Sequence, residues 1–438
     1  MKICIIGAGI AGLSAAYNLS KIGHEVSIYE SSPFAGGQAS TIKINDFEIE
    51  KAYHHLFVTD KAILDLYKEL GMSKDLKWYK SSVATYSEGK VWKTTSPFDL
   101  LLLSLIPFKE RIKLILLSLR LKLLRNWKKI ENVTAYDWLS EKVNKKTFEI
   151  IFRPLLYGKF GEFYKTIGMP WFWSKIQTRV SSRNYKFQEI LCYPNGSFSK
   201  LINKLEEEIN SNNGNIYFEH KITKIITKDN SVESVDIIDN KSIKKNEKFD
   251  IVISTAPYKV LDKLIDLEKN IKDSMCKVDY MSAIVMILNL KNSLSDYYWL
   301  SIAENNFPFL GIIEHTNLIP KENYGNNNIL YITNYVENDN NFLKLNYKEL
   351  IDIYTPYLKK INYKFTKDWI LDYRFNKINF AQPIIPINYS SYKIPLKLPI
   401  NGLYSGNTAQ IYPEDRGTNY AVDLANKITK LIKEGYYD

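Results

Sequence analysis

Three glycines at the spacing Gly7-Ala8-Gly9-Ile10-Ala11-Gly12 stand near the start of the chain, and a carboxylate, Glu30, follows them. Together these residue types can hold a pyrophosphate and a ribose. Gly7 permits a tight turn, Gly9 lets backbone approach the phosphates with no Cβ between, and Gly12 allows a helix to pack closely on a strand. The amides that open that helix supply partial positive charge. Glu30 can accept the ribose hydroxyls and would repel a 2′-phosphate, so a dinucleotide lacking that phosphate is expected.

Other residues could act on a substrate. His54 and His55 are adjacent imidazoles, able to accept a proton near neutral pH, or else to pack at an interface and bond backbone. Tyr412 and Asp415 precede the last helical stretch and are candidate substrate contacts, with Arg179 as a candidate cation. His315 follows Glu314 in a predicted strand, so the two point to opposite faces, and a structural His315 is expected. The run Met169-Pro170-Trp171-Phe172-Trp173 either lines a pocket or makes core. Cys4, Cys192 and Cys276 form neither a CxxC pair nor a Cys/His metal spacing, so neither a disulfide framework nor a metal site is expected.

The elements that must position these groups follow from periodicity. Residues 2–6 predict a buried strand, 13–22 a helix stopped by Gly23, and 25–29 a second strand ending at Glu30, which makes a βαβ unit. After residue 75 the texture changes: 96–129 is apolar and basic, and 148–175 is rich in aromatics. A helix is predicted at 198–209, strands at 216–220, 248–254, 283–290, 328–336 and 402–405, and a helix at 421–434. The expected fold class is α/β, a Rossmann-type parallel sheet with an inserted mixed α+β substrate domain. The nucleotide part is assigned to 1–75, 190–257 and 395–438, and the substrate part to 76–189 and 258–394.

Further motifs select the nucleotide. Gly36-Gly37-Gln38 resembles the second glycine pair of the two-dinucleotide-binding-domain flavoproteins, where it approaches the phosphates of FAD; a basic residue is common where Gln38 stands. The run from Phe249 to Pro257 is similar to the strand and turn that return beneath the cofactor. Gly402-Leu403-Tyr404-Ser405-Gly406-Asn407 resembles the C-terminal strand after which backbone amides reach the flavin, with Asn407 in place of the usual aspartate. Arg416-Gly417-Thr418-Asn419 then opens the last helix. The order of these pieces resembles the amine oxidase, protoporphyrinogen oxidase and phytoene desaturase superfamily. The resemblance implies FAD held at Gly7–Gly12, Glu30, Gly36, Gly37, Gln38, Ile222, Gly406, Asn407 and Gly417–Asn419. It also implies hydride transfer from a substrate to flavin N5.

Locally, Tyr53-His54-His55-Leu56-Phe57 is similar to the histidine loop over the flavin of UDP-galactopyranose mutase. Tyr193-Pro194-Asn195-Gly196 resembles its turn before a helix, and Ile312-Ile313-Glu314-His315 matches a short run of it. The alternative function is therefore a non-redox flavoenzyme acting on a sugar nucleotide. The mutase has an arginine immediately before that last run, where this chain has Gly311. Lys159-Phe160 stands where a mutase tryptophan is expected. Arg179, Arg183 or Arg416 could supply the missing charge.

Composition bounds the partners. The chain of 438 residues is 45% hydrophobic with a formal net charge of +11, which attracts phosphate-bearing substrates or anionic lipid. No nucleic-acid-binding motif accompanies the charge, so no nucleic-acid partner is expected; the lysines of 240–248 are expected in a solvated loop. Ile112, Leu116, Leu119 and Leu123 share one helical face within the basic stretch 109–129, flanked by Lys109, Arg111, Lys113, Arg120, Lys122 and Arg125. Such a helix either lies on anionic lipid or packs on its neighbours. No apolar run spans a bilayer and no leader is recognised, so a cytoplasmic protein is expected, soluble or peripheral at the inner membrane face. The small-molecule substrate, a sugar nucleotide or a lipophilic compound among the options, is left open.

Overall fold

Five parallel strands form the sheet that carries the glycine loop. The computed structural model describes residues 1–437. Across this sheet the order is Gly214–Phe218, Glu25–Glu30, Lys2–Ile6, Ile251–Ser254 and Leu403–Ser405. Ile3 pairs with Val26 on one side and Ile251 on the other. Lys2–Ile6 is flanked by strands and buried on both faces, which explains its unbroken apolar run. The crossover helix Ile10–Ser20 buries Leu13, Ala16 and Leu19, and it packs on helices Ser199–Ser211 and Thr418–Tyr437. It starts at the glycine loop, earlier than the periodicity places it.

A second, seven-stranded sheet contains Ile370–Pro383, Tyr280–Leu290, Asn328–Val336, Gly311–Glu314, Trp299–Ile302, Val83–Ser87 and Lys90–Lys93 in that order. All of Tyr280–Leu290 is buried because both of its faces are covered. Ile284, Met286 and Leu288 join the core under helix Tyr347–Ile361, whereas Val285 and Ile287 join the core shared with the nucleotide sheet. This central strand thus ties the two halves together and presents one face to the space between them.

Two segments differ from their predicted form. Residues 244–248 are an edge strand, Lys244–Lys248, of an antiparallel sheet with Lys221–Lys228 and Ser231–Ile238. Its lysines stay in water and blunt the edge, and Glu247 is held by Lys2 at 2.8 Å. Helix Phe108–Leu123 is turned so that Leu114, Leu117 and Leu121 are buried, while Leu116 and Leu123 are 59% and 79% exposed. Among the described residues, no helix is long and apolar enough to cross a membrane.

Candidate functional site

The strand–loop–helix Lys2–Ser20 builds a cradle. Gly7 takes a φ of +99°, and a Cβ on Gly12 would fall 2.0 Å from the Gly7 carbonyl oxygen, so the helix can start this close only with glycine. Gly9 pairs with Gly36 in an isolated bridge that brings the second glycine pair against the first. The helix has no capping side chain and no acidic residue in its first turn. Its positive end is left for a ligand. Glu30 ends the neighbouring strand, and its Oε2 accepts the Ala8 amide at 2.9 Å. Ile222 lies at the start of the next strand, buried in a core that includes Tyr29 and Ile237. The residues present fit a dinucleotide: backbone donors, a carboxylate for ribose, and no Cβ between the two loops.

A cleft with about 1230 Å³ of space, open solvent at its mouth included, lies between the sheets, and its wall at Gln38 adjoins the second glycine pair. Its nucleotide-side wall includes Gln38, Tyr53, His54, His55 and Asp60, with Arg416, Gly417, Thr418 and Asn419 at the mouth of helix Thr418–Tyr437. The opposite wall is apolar where Ala283, Val285, Trp299 and Ile378 of the second sheet face it, and polar at Thr333, Asn334 and Tyr335. Helix Met169–Ser181 lends Ser174, Lys175, Thr178 and Arg179, which lie on one face by helical spacing.

The two histidines stand on the wall as neutral groups. His54 Nδ1 donates to the Ala52 carbonyl at 2.6 Å, which leaves Nε2 as an acceptor, and His55 Nδ1 lies 2.9 Å from the Tyr298 hydroxyl. Burial pushes His54 down to about 4 and His55 to about 3. Both rings sit in a low-dielectric wall that penalises the imidazolium. Tyr53 packs edge-on to Trp299 at 5.1 Å, closing the wall between the sheets.

Opposite them lies a charge cluster in which the candidates Asp415 and Arg416 meet Lys159 and Lys175, which sequence reading had not placed in the site. Asp415 Oδ2 receives Lys159 Nζ at 2.5 Å and Lys175 Nζ as well, and its Oδ1 accepts Gln382 Nε2 at 3.2 Å. Burial opposes the charge on Asp415, but Lys159, Lys175 and Arg416 hold the carboxyl well below its ordinary value. Arg416 donates to Gln382 at 3.0 Å, Gln38 at 3.1 Å and the Tyr335 hydroxyl at 2.7 Å, all neutral groups. Arg179 has a carboxylate partner, Glu189, at 3.2 Å. One signal for Lys175 was available: it stands one helical turn before Arg179 and one after Trp171. Lys159, Gln382 and Tyr335 had none.

Other candidates lie elsewhere. Tyr412 is not on the cleft; its hydroxyl donates to Glu131 at 2.8 Å and its ring packs on Trp127 and Tyr389, so it is a core anchor. Gly406 and Asn407 do not offer free amides. The Gly406 amide donates to the Ser254 carbonyl and that of Asn407 to Gln410 Oε1, while the Asn407 side chain caps Ala409. Arg183 bonds the carbonyls of Thr95 and Phe187, away from the cleft. Glu314 and His315 are buried and structural: the carboxylate accepts the amides of Leu294 and Ser295, and the imidazole meets Tyr324. At Gly311 a Cβ would lie 2.9 Å from the Leu300 carbonyl oxygen, so no arginine fits that strand position. Trp171 and Phe172 are core.

Comparison with known proteins agrees with this architecture. The family model of flavin-containing amine oxidoreductases matches residues 10–408. The 15-cis-phytoene desaturase of Synechococcus elongatus is 29% identical over 171 residues, 34% of this chain and 36% of that protein. The zeta-carotene desaturase of Arabidopsis thaliana is 40% identical over 77 residues, 17% of this chain and 14% of that protein. The chain thus matches well under half the length of these curated relatives. Cyclohexylamine oxidase from Brevibacterium oxydans superposes with a TM-score of 0.75 at 13% identity, covering 100% of this chain and 99% of that one, a likeness of fold. The chain belongs to the family of flavin-containing amine oxidoreductases.

Proposed function

We propose that this protein is an FAD-dependent oxidoreductase acting on a small organic molecule in the cleft between its two sheets. One observation carries the reading: the glycine cradle and Glu30, suited to an adenine dinucleotide, adjoin at Gln38 a cleft whose wall extends to the start of helix Thr418–Tyr437. In this reading residues 1–75, 190–257 and 395–438 bind the cofactor, and 76–189 and 258–394 shape the substrate side. When bound, FAD supplies a two-electron acceptor at N5 for a hydride from the substrate. Gly7–Gly12 and Gly36–Gly37 hold the phosphates. Arg416 and the amides of Gly417–Asn419 stabilise negative charge at the end of the cleft. Tyr53 and Trp299 exclude water, and neutral His54 keeps an acceptor nitrogen on the wall. The packed strand at Gly311 has no room for the arginine that the sugar-nucleotide mutase carries there, which favours this reading over the mutase.

The outer face of helix Phe108–Leu123 belongs to the same proposal, as the contact with an anionic bilayer at the inner membrane face. Phe108, Ile112, Leu116, Leu119 and Leu123 form one exposed stripe, continued by exposed Phe98 and Leu102. Lys109, Lys113 and Arg120 border it on one side and Arg111 and Lys122 on the other, the charge pattern that lipid headgroups complement.

The test is the absorbance of the purified protein, followed by anaerobic bleaching with amines, porphyrinogens and polyenes. Bound FAD that one class bleaches supports the proposal. Protein without flavin that binds none on reconstitution sinks it.

A further inference from the structure

The cleft holds more buried positive charge than its own carboxylates balance. Lys159 and Arg416 face one carboxylate, Asp415, together with Lys175. Lys159 and Lys175 share that one carboxylate between them, while Asp60 on the far wall and Glu189 behind Arg179 have other partners. Asp60 is committed to the Phe57 amide at 2.9 Å and Glu189 to Arg179. Arg416 spends its hydrogen bonds on neutral partners. An ion short of a counter-ion in a largely dehydrated cleft is costly, so an anion brought by a ligand is favoured there.

The geometry says where that charge goes. Lys159 is carried by helix Arg153–Phe160 and Lys175 by helix Met169–Ser181, both outside the nucleotide sheet. Each ammonium has three donors, and both spend one on the same oxygen of Asp415. Trp171 lies beneath both, 5.4 Å from Lys159 Nζ and 5.7 Å from Lys175 Nζ, which fixes them without neutralising them. Side-chain exposures of 13% and 32% leave both lysines partly accessible, and both line the cleft. Beside them the wall is apolar at Ala283, Val285 and Trp299.

We infer that Lys159 and Lys175 form an oxyanion-binding subsite, and that the substrate is an acid with an apolar body whose carboxylate or phosphate docks on these two ammonium groups. The inference rests on the proposed oxidoreductase reading for the word substrate, but the subsite is tested separately. It orients the acid so that the rest of the molecule lies along the wall between Trp299 and Tyr53, while Asp415 keeps the lysines paired until the anion arrives.

The experiment is a calorimetric titration of the purified protein, with flavin content recorded for every sample. The probes are hexanoate, inorganic phosphate and hexylamine. Hexanoate or phosphate should bind saturably and hexylamine should not. Binding should weaken at least tenfold in Lys159→Met and Lys175→Met, and recover in Lys159→Arg and Lys175→Arg; whichever anion binds tighter identifies the head group. Equal affinity in the wild type and the methionine variants overturns the inference. So does loss of flavin in those variants at an unchanged Tm, because the charge then belongs to the cofactor. A wild type that holds no flavin would defeat the oxidoreductase reading, yet the anion titration would still decide the subsite.

Discussion

Gly9 and Gly37 face each other so closely that a Cβ on Gly37 would lie 3.0 Å from the Gly9 Cα. The two glycine motifs therefore pack directly on each other as one cradle. Gly37→Val should lower flavin affinity at least tenfold, since the added side chain collides with the Gly9 backbone and pushes the two loops apart, and φ at this position is +56°. Reconstitution followed by absorbance checks this; retention of wild-type flavin content would show that the phosphates pass elsewhere.

Two buried carboxyls set a pH dependence of stability. Burial pushes Glu50 and Glu314 up to about 7, despite the amides and hydroxyls they accept. Each binds its proton more tightly in the folded chain than in the unfolded one. Their contribution is complete below about 4.5 and is lost as pH rises toward about 7, at most about 3 kcal/mol apiece. The Tm should fall between pH 5 and 7.5 and fall less in Glu50→Gln, where the amide still accepts from Phe198. Identical pH profiles for the two proteins would contradict the assignment.

Tyr412 anchors the core, so Tyr412→Phe should cost about 1–3 kcal/mol by removing its bond to Glu131. Denaturant unfolding measures that loss, and flavin affinity should stay within twofold of wild type. A flavin defect at normal stability would return Tyr412 to the site.

Sedimentation with phosphatidylglycerol vesicles tests the exposed stripe. The wild type should sediment with them and release at high salt, as screened charge attraction requires. Leu116→Asp combined with Leu119→Asp should abolish sedimentation with little change in Tm, because both side chains are exposed. Wild-type protein that stays in the supernatant argues against lipid as the occupant.

How far the sequence carried depended on distance along the chain. Lys2–Ile6, the glycine loop and Glu30 lie within one βαβ unit, where turn chemistry and periodicity are local, so they were readable. Asp415 meets Lys159 across 256 residues, and no local pattern encodes such a meeting. Lys244–Lys248 was misread because it is an all-polar edge strand of a hairpin with Ser231–Ile238, with no apolar alternation to mark it. In 112–123 the apolar stripe was visible, but a second stripe, Leu114, Leu117 and Leu121, competes for the core and wins it. Gly406 and Asn407 resembled cofactor contacts, yet their amides are consumed by their own turn and its neighbouring strand.

The nucleotide sheet joins Lys2–Ile6 to Ile251–Ser254, and that strand to Leu403–Ser405. During synthesis the glycine loop is made long before its sheet acquires the strand Leu403–Ser405 and the cleft its Arg416–Asn419 wall. The cradle therefore exists as sequence well before the fold can complete the space beside it. A ribosome stalled before residue 403 would carry a nascent chain with a phosphate cradle and no complete cleft to close over it.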